Sequence, residues 1–174
     1  MLIDVSYFTK GPRHIMNASD AATPAQNSLS VNRAIMGYVE HYQLAFLCEV
    51  VGDTMAVALN GYLADKELAE KENHDFTVNA DYEVLLEKLR ESFADYVFFY
   101  ILRDSNTQAT DRGLVIWKNE NETVSPISRQ VAIWNEMVKR NTRFKAWAAL
   151  QSAAPYCLVE VSDNMTKRIN PFNL

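Results

Sequence analysis

The side chains in this chain that could do chemistry are mainly acids. Glu67 and Glu70 form an E-x-x-E pair, and Glu87, Glu91 and Asp95 follow at a spacing of four. Carboxylates on two facing helices hold magnesium in all-helical nucleotide pyrophosphohydrolases, so a magnesium-dependent hydrolase is one reading. That pattern couples E-x-x-E to a later E-x-x-D, whereas here Glu72 and Asp75 follow at once. Acids four apart, opposite an apolar stripe, more often form a solvated helix face. His14, His41 and His74 lie in separate segments and form no H-x-x-x-H or H-E-x-x-H pair, so no metal site is expected. Cys48 and Cys157 form no C-x-x-C pair, which points to a reducing compartment and to neither zinc nor a disulfide framework. G-x-S-x-G, Walker and G-x-G-x-x-G loops are lacking, and five glycines leave little material for a phosphate cradle. No cofactor is expected, and the chain reads as not an enzyme.

The segments that must carry these residues are bounded by composition. The chain has 174 residues, 48% hydrophobic and 22% charged, enough for a real core and too charged for a membrane protein. The opening Met-Leu-Ile-Asp reaches Lys10 and Arg13 without an apolar run, so neither a signal peptide nor a membrane span is expected. The sequons at Asn121 and Asn164 then carry no meaning. With 17 basic against 22 acidic residues the net charge is −5, which disfavours wrapping of nucleic acid by the whole surface. Eight Phe, eight Tyr and three Trp against five Gly and five Pro favour long helices over many short strands.

Periodicity divides the chain into three regions. Residues 1–28 read as an extended arm and polar loop. Residues 29–155 form the helical domain, with a small hairpin at about 104–124, and 156–174 a C-terminal strand and tail. The first helix runs from Val31 to Val51 with Ser30 as its cap. The second starts at an Asp53 cap and dissolves into the charged stretch 64–75. The third carries Leu85, Leu89, Phe93 and Val97 on one face, with Glu83, Glu87, Glu91 and Asp95 opposite. Ser125-Pro126 opens the fourth, whose stripe is Val131, Trp134 and Val138. Tyr42, Phe46, Leu89, Phe93, Val97, Val131 and Trp134 are the expected core.

Charge is uneven along these elements. Residues 49–95 hold 12 acids and 4 bases, whereas Arg129, Lys139, Arg140, Arg143 and Lys145 on the fourth helix oppose only Glu136. The basic helix suggests a DNA-binding packaging or regulatory factor. It equally suggests a head-to-tail interface in which Glu83, Glu87, Glu91 and Asp95 of one subunit meet Arg129, Lys139, Arg140 and Arg143 of the next. At the ends, Ile3, Val5, Tyr7 and Phe8, with Tyr156, Leu158, Ile169, Phe172 and Leu174, read as docking segments for a neighbour.

Several stretches together resemble the head-tail connector (adaptor) proteins of tailed bacteriophages, particularly those of Bacteroides-type phages and prophages. They are the arm Ile3-Asp-Val-Ser-Tyr-Phe-Thr-Lys-Gly-Pro-Arg-His14, the helix Val39-Glu-His-Tyr-Gln-Leu-Ala-Phe-Leu47 before Gly52-Asp53, Phe93-Ala-Asp-Tyr-Val-Phe-Phe-Tyr100, the Gly113 hairpin, and Ser125-Pro126 leading into Trp134-Asn-Glu-Met-Val138. The resemblance covers about three quarters of the chain and lies in order and spacing, with no catalytic motif. It implies a mainly helical, four-helix connector-type bundle with extended arms. It also implies a ring, commonly twelvefold, between portal and tail, in the neck of a virion made in the bacterial cytoplasm. The implied partners are further copies of the chain, the portal and other neck or tail proteins. DNA passes through the channel without sequence-specific binding, and no membrane is involved.

Overall fold

A computed structural model describes residues 1–105, 107–110, 113–116 and 126–172, and these are mainly helical. Four long helices carry the fold: α1 (Gln26–Val51), α2 (Asp53–Glu72), α3 (Ala80–Ser105) and α4 (Pro126–Ala149). Two four-residue strands, β1 (Thr107–Thr110) and β2 (Gly113–Ile116), pair antiparallel after α3. The remainder of the 104–124 region, and the Ser125 cap, lie outside the described residues.

α3 is central, as its periodicity predicts. Leu85, Leu86, Leu89, Phe93 and Val97 are fully buried, and Phe46 of α1 packs on Phe93 with ring centroids 5.1 Å apart. Asn79 starts α3 by accepting hydrogen bonds from the amides of Asp81 and Tyr82 at 3.1 and 3.2 Å, an N-cap. The row of acids behaves differently from the expected solvated face. Steps of four residues advance 40° beyond a full turn, so three steps swing the row by roughly 120°. Glu87 is exposed, Glu83 and Glu91 are half-buried, and Asp95 has turned into the interior.

Other boundaries move for equally local reasons. α1 begins at Gln26, and Ser30 lies inside it with its hydroxyl donating to the Asn27 carbonyl at 2.9 Å. α1 and α2 are joined by Gly52 alone, at φ +84°. A side chain there would be strained and would meet Glu160 Cβ at 3.6 Å, which accounts for glycine at this corner. Gly52, and not Asp53, flanks the start of α2. α2 does not dissolve at residue 64 but continues to Glu72, supported by Lys66 on Glu83 and by the i,i+4 pair Glu67–Lys71. The buried stripe of α4 is Gln130, Ile133, Met137, Val138, Asn141, Phe144 and Ala148, so of the expected stripe Val138 is buried while its centre is displaced by one residue. Val131 and Trp134 are only half-buried, as is Tyr42.

Both ends fold onto the helices. The arm forms 3-10 turns at Val5–Phe8 and Gly11–Arg13, and Leu2, Ile3 and Phe8 enter the same core as α1 and α3. The expected strand at 156–161 is a 3-10 turn, Tyr156–Leu158, followed by a second at Asp163–Thr166. Among the described residues no strand lies beside this segment, and it satisfies its amides locally: Leu158 N donates to Pro155 O and Val159 N to Tyr156 O. Val161 and Met165 are buried in the common core.

Candidate functional site

The most heavily bonded polar centre lies where the arm crosses α3 and α4. The Asp95 side chain is 4% exposed and accepts from two arginines: Arg13 Nη1 at 2.8 Å and Arg140 Nε at 2.9 Å. Arg13 also donates from Nη2 to Glu91 Oε2 at 2.7 Å and from Nη1 to the Glu91 carbonyl at 3.2 Å. Arg13 thus spans both acids and fastens the arm to α3 through charge-assisted bonds. Burial pushes the Asp95 carboxyl above the ordinary aspartate range, and the guanidiniums of Arg13 and Arg140 only partly offset it. Against its own burial, the bonds to Glu91 and Asp95 hold the Arg13 guanidinium above its usual range.

A second set of bonds lays the C-terminal segment along α4. Asn141, fully buried, accepts from the Ser92 hydroxyl and donates to the Met165 carbonyl at 3.0 Å. Trp134 Nε1 donates to the Lys167 carbonyl at 3.0 Å, and Asn135 exchanges two 3.0 Å bonds with the backbone of Ile169. Lys145 Nζ reaches the Val161 carbonyl at 3.2 Å. As the α4 position falls from 145 to 134 the tail position rises from 161 to 169, so the two run antiparallel. Past this clamp Phe172 is 98% exposed.

These two centres redistribute the expected interface residues. Glu91, Asp95 and Arg140 satisfy one another and Arg13 within a single chain, so they are not free to bridge subunits. Glu83 accepts from Lys66 and from the Tyr62 hydroxyl, which together hold its carboxyl below the usual glutamate range. Lys139 pairs with Glu136, and Arg129 bonds the Pro12 carbonyl and lies over the Phe98 ring. Among the described residues no ion pair involves Glu87 or Arg143, and both stand at the surface. The acids and bases read from the sequence as a contact between subunits are thus largely paired within one chain. The basic character of α4 is largely consumed in the same way.

The docking candidates divide. Ile3 and Phe8 are buried in the chain's own core, which corrects their assignment as docking residues. Val5, Tyr7 and Ile169 pack half-buried against the core, and Tyr156 packs on Trp147 and donates to Asp81. Leu158 and Phe172 remain exposed, and Leu174 lies outside the described residues.

The acids of the hydrolase reading do not converge. Glu67 is taken by the N-terminal ammonium and Lys71, Glu70 is exposed, and Glu91 and Asp95 face arginines. Among the described residues no group of three or more His, Cys, Asp or Glu is arranged to hold a metal, and no helix is long and apolar enough to cross a membrane. His14 is exposed, His41 packs edge-on against Tyr42, and His74 lies 3.5 Å from Glu72. Comparison with protein-family models, with curated proteins and with solved structures finds no match.

Sequence reasoning missed Arg13, Ser92, Asn135 and Asn141. Asn141 carried a usable signal, because it falls at the spacing of Ile133, Met137, Phe144 and Ala148. A polar residue inside an apolar stripe must find an internal partner.

Proposed function

We propose that this chain is a structural virion protein, a head-tail connector subunit that forms a ring, commonly twelvefold, between the portal and the tail of a phage. In this reading it is a four-helix connector-type bundle with a small hairpin. It binds copies of itself, the portal and further neck or tail proteins, and it lets DNA pass through its channel. Its role is mechanical and not enzymatic.

The observation that carries the reading is the tail. A ring component must hold its shape and still offer an apolar element to another protein. Here four α4 side chains fix the tail's path as far as Ile169, and Phe172 then stands bare to solvent. An aromatic presented by a rigid support is the kind of anchor that fills a partner's pocket at small entropic cost.

The test is Phe172→Ser. The variant should fold as the parent does and bind portal-containing heads at least about tenfold more weakly, the loss expected of a buried aromatic anchor. Unchanged binding would remove the tail from the interface. Deleting 162–174 is the poorer test, because it also removes Met165 and the partner of Asn141 and so damages the subunit itself.

A further inference from the structure

A cleft of about 600 Å³ lies between the first seven residues of the arm and the helices α1, α2 and α3, and no member of the two polar centres described above lines it. Small-molecule sites have this size, about 300 to 1,000 Å³. Ile3, Met36 and Leu63 give the cleft an apolar wall. Its polar side is set by Arg90. Lys66 and the Tyr62 hydroxyl both bond Glu83 Oε1, whereas Arg90 Nη2 stands 3.8 Å from Glu83 Oε2, outside hydrogen-bond reach. Two cations on one carboxylate leave one positive charge over. Arg90 Nε is buried without an acceptor, so the bonds open to this guanidinium are those of its terminal nitrogens. Tyr7 lines the same cleft, and its hydroxyl has no hydrogen-bond partner among the described residues. Burial raises the Tyr7 phenol above its ordinary range, and the charge that most opposes the rise is Arg90, so the two groups are neighbours.

We infer that this cleft binds a small organic monocarboxylate, held by the Arg90 guanidinium and the Tyr7 hydroxyl with its apolar body against Leu63 and Met36. A guanidinium is a planar fork that matches a carboxylate, and the neutral phenol adds a donor without adding charge. A phosphate monoester fits less well. It carries a charge of about −1.5 to −2 at pH 7 against one surplus cation, and Asp4 and Glu70 on the same cleft repel the second negative charge. Glu67 does not enter this balance, because the N-terminal ammonium and Lys71 neutralise it. The inference does not rest on the connector reading, whose anchor Phe172 has no part in the cleft.

Calorimetric titration of the full chain tests it, with 4-methylpentanoate as the probe. Binding should saturate at one equivalent with a Kd of about 1 mM or tighter, within the efficiency open to a ligand of this size. The amine 4-methylpentylamine and the ester 3-methylbutyl phosphate, with comparable apolar bodies, should each bind at least about tenfold more weakly. Arg90→Met should weaken carboxylate binding at least about tenfold and Tyr7→Phe at least about threefold, with the helical circular dichroism unchanged, while Glu87→Gln on exposed α3 changes nothing. No saturable heat up to 20 mM 4-methylpentanoate overturns the inference. So does an amine or phosphate ester that binds as tightly as the carboxylate, and so does binding that Arg90→Met and Tyr7→Phe both leave intact. If Arg90→Met unfolds the chain, Arg90→Lys, which keeps the charge and loses the fork, takes its place with the same expected loss.

Discussion

Replacing Asp95 with alanine should be among the most damaging single changes to a charged residue in this protein. The carboxylate is 4% exposed and bridges Arg13, itself 14% exposed, to Arg140, which is 41% exposed. Removing one member of a buried pair leaves the other charge without compensation and costs about 3 to 5 kcal/mol. Glu91 stays within 2.7 Å of Arg13 and softens the loss, which places Asp95→Ala near the lower end, at about 3 kcal/mol. Arg140→Ala should cost only about 0 to 1 kcal/mol, because its exposed guanidinium is already screened by water. Arg13→Met with Asp95→Leu should be less destabilising than either single change, because apolar replacement removes the unpaired charge. Urea unfolding followed by circular dichroism measures all five variants. With a slope of about 2 kcal/mol/M, Asp95→Ala should lower the midpoint by about 1.5 M. Equal losses of under 1 kcal/mol for Asp95→Ala and Arg140→Ala would show that the centre is a solvated surface pair, and the reasoning would fail.

Further outcomes follow from the same contacts. Asn141→Ala orphans the Ser92 hydroxyl and the Met165 carbonyl, and should cost about 1 to 3 kcal/mol while raising amide exchange across residues 161–169. Phe93→Ala and Leu89→Ala should each cost about 2 to 5 kcal/mol, while Glu87→Ala stays within about 0.5 kcal/mol, as thermal denaturation would show. The folded Glu83 carboxyl titrates below its unfolded counterpart, so it adds stability above the ordinary glutamate range that is lost as pH falls through the lower folded value. Glu83→Gln should therefore flatten the acid limb of the stability curve, and an unchanged acid limb would contradict the Lys66 and Tyr62 contacts.

The sequence made the helices legible because strong periodic stripes leave few alternatives. Leu85 to Val97 could be placed on a buried face from spacing alone, and Pro126 marks the first position of α4. Legibility ended where tertiary pairing decides. Acids at intervals of four looked like one surface, yet the 40° drift per step carries Asp95 inside, to partners 82 and 45 residues away. The same blindness made the arm and tail look like free docking segments. Ile3, Phe8 and Met165 are held by side chains distant in the chain, and nothing local announces Arg13 on Asp95 or Asn141 on Met165. In α4 the apolar residues between Val131 and Val138 allowed two adjacent stripes, and packing centres the buried face on Ile133 and Met137 while keeping Val138 inside.

The connector account is tested most directly by electron microscopy of portal-containing heads incubated with the purified chain. The account predicts a ring of many copies, coaxial with the portal and open along its axis, that is lost with Phe172→Ser. Heads that acquire no added density at the portal vertex, with the folded chain left free in solution, would contradict it.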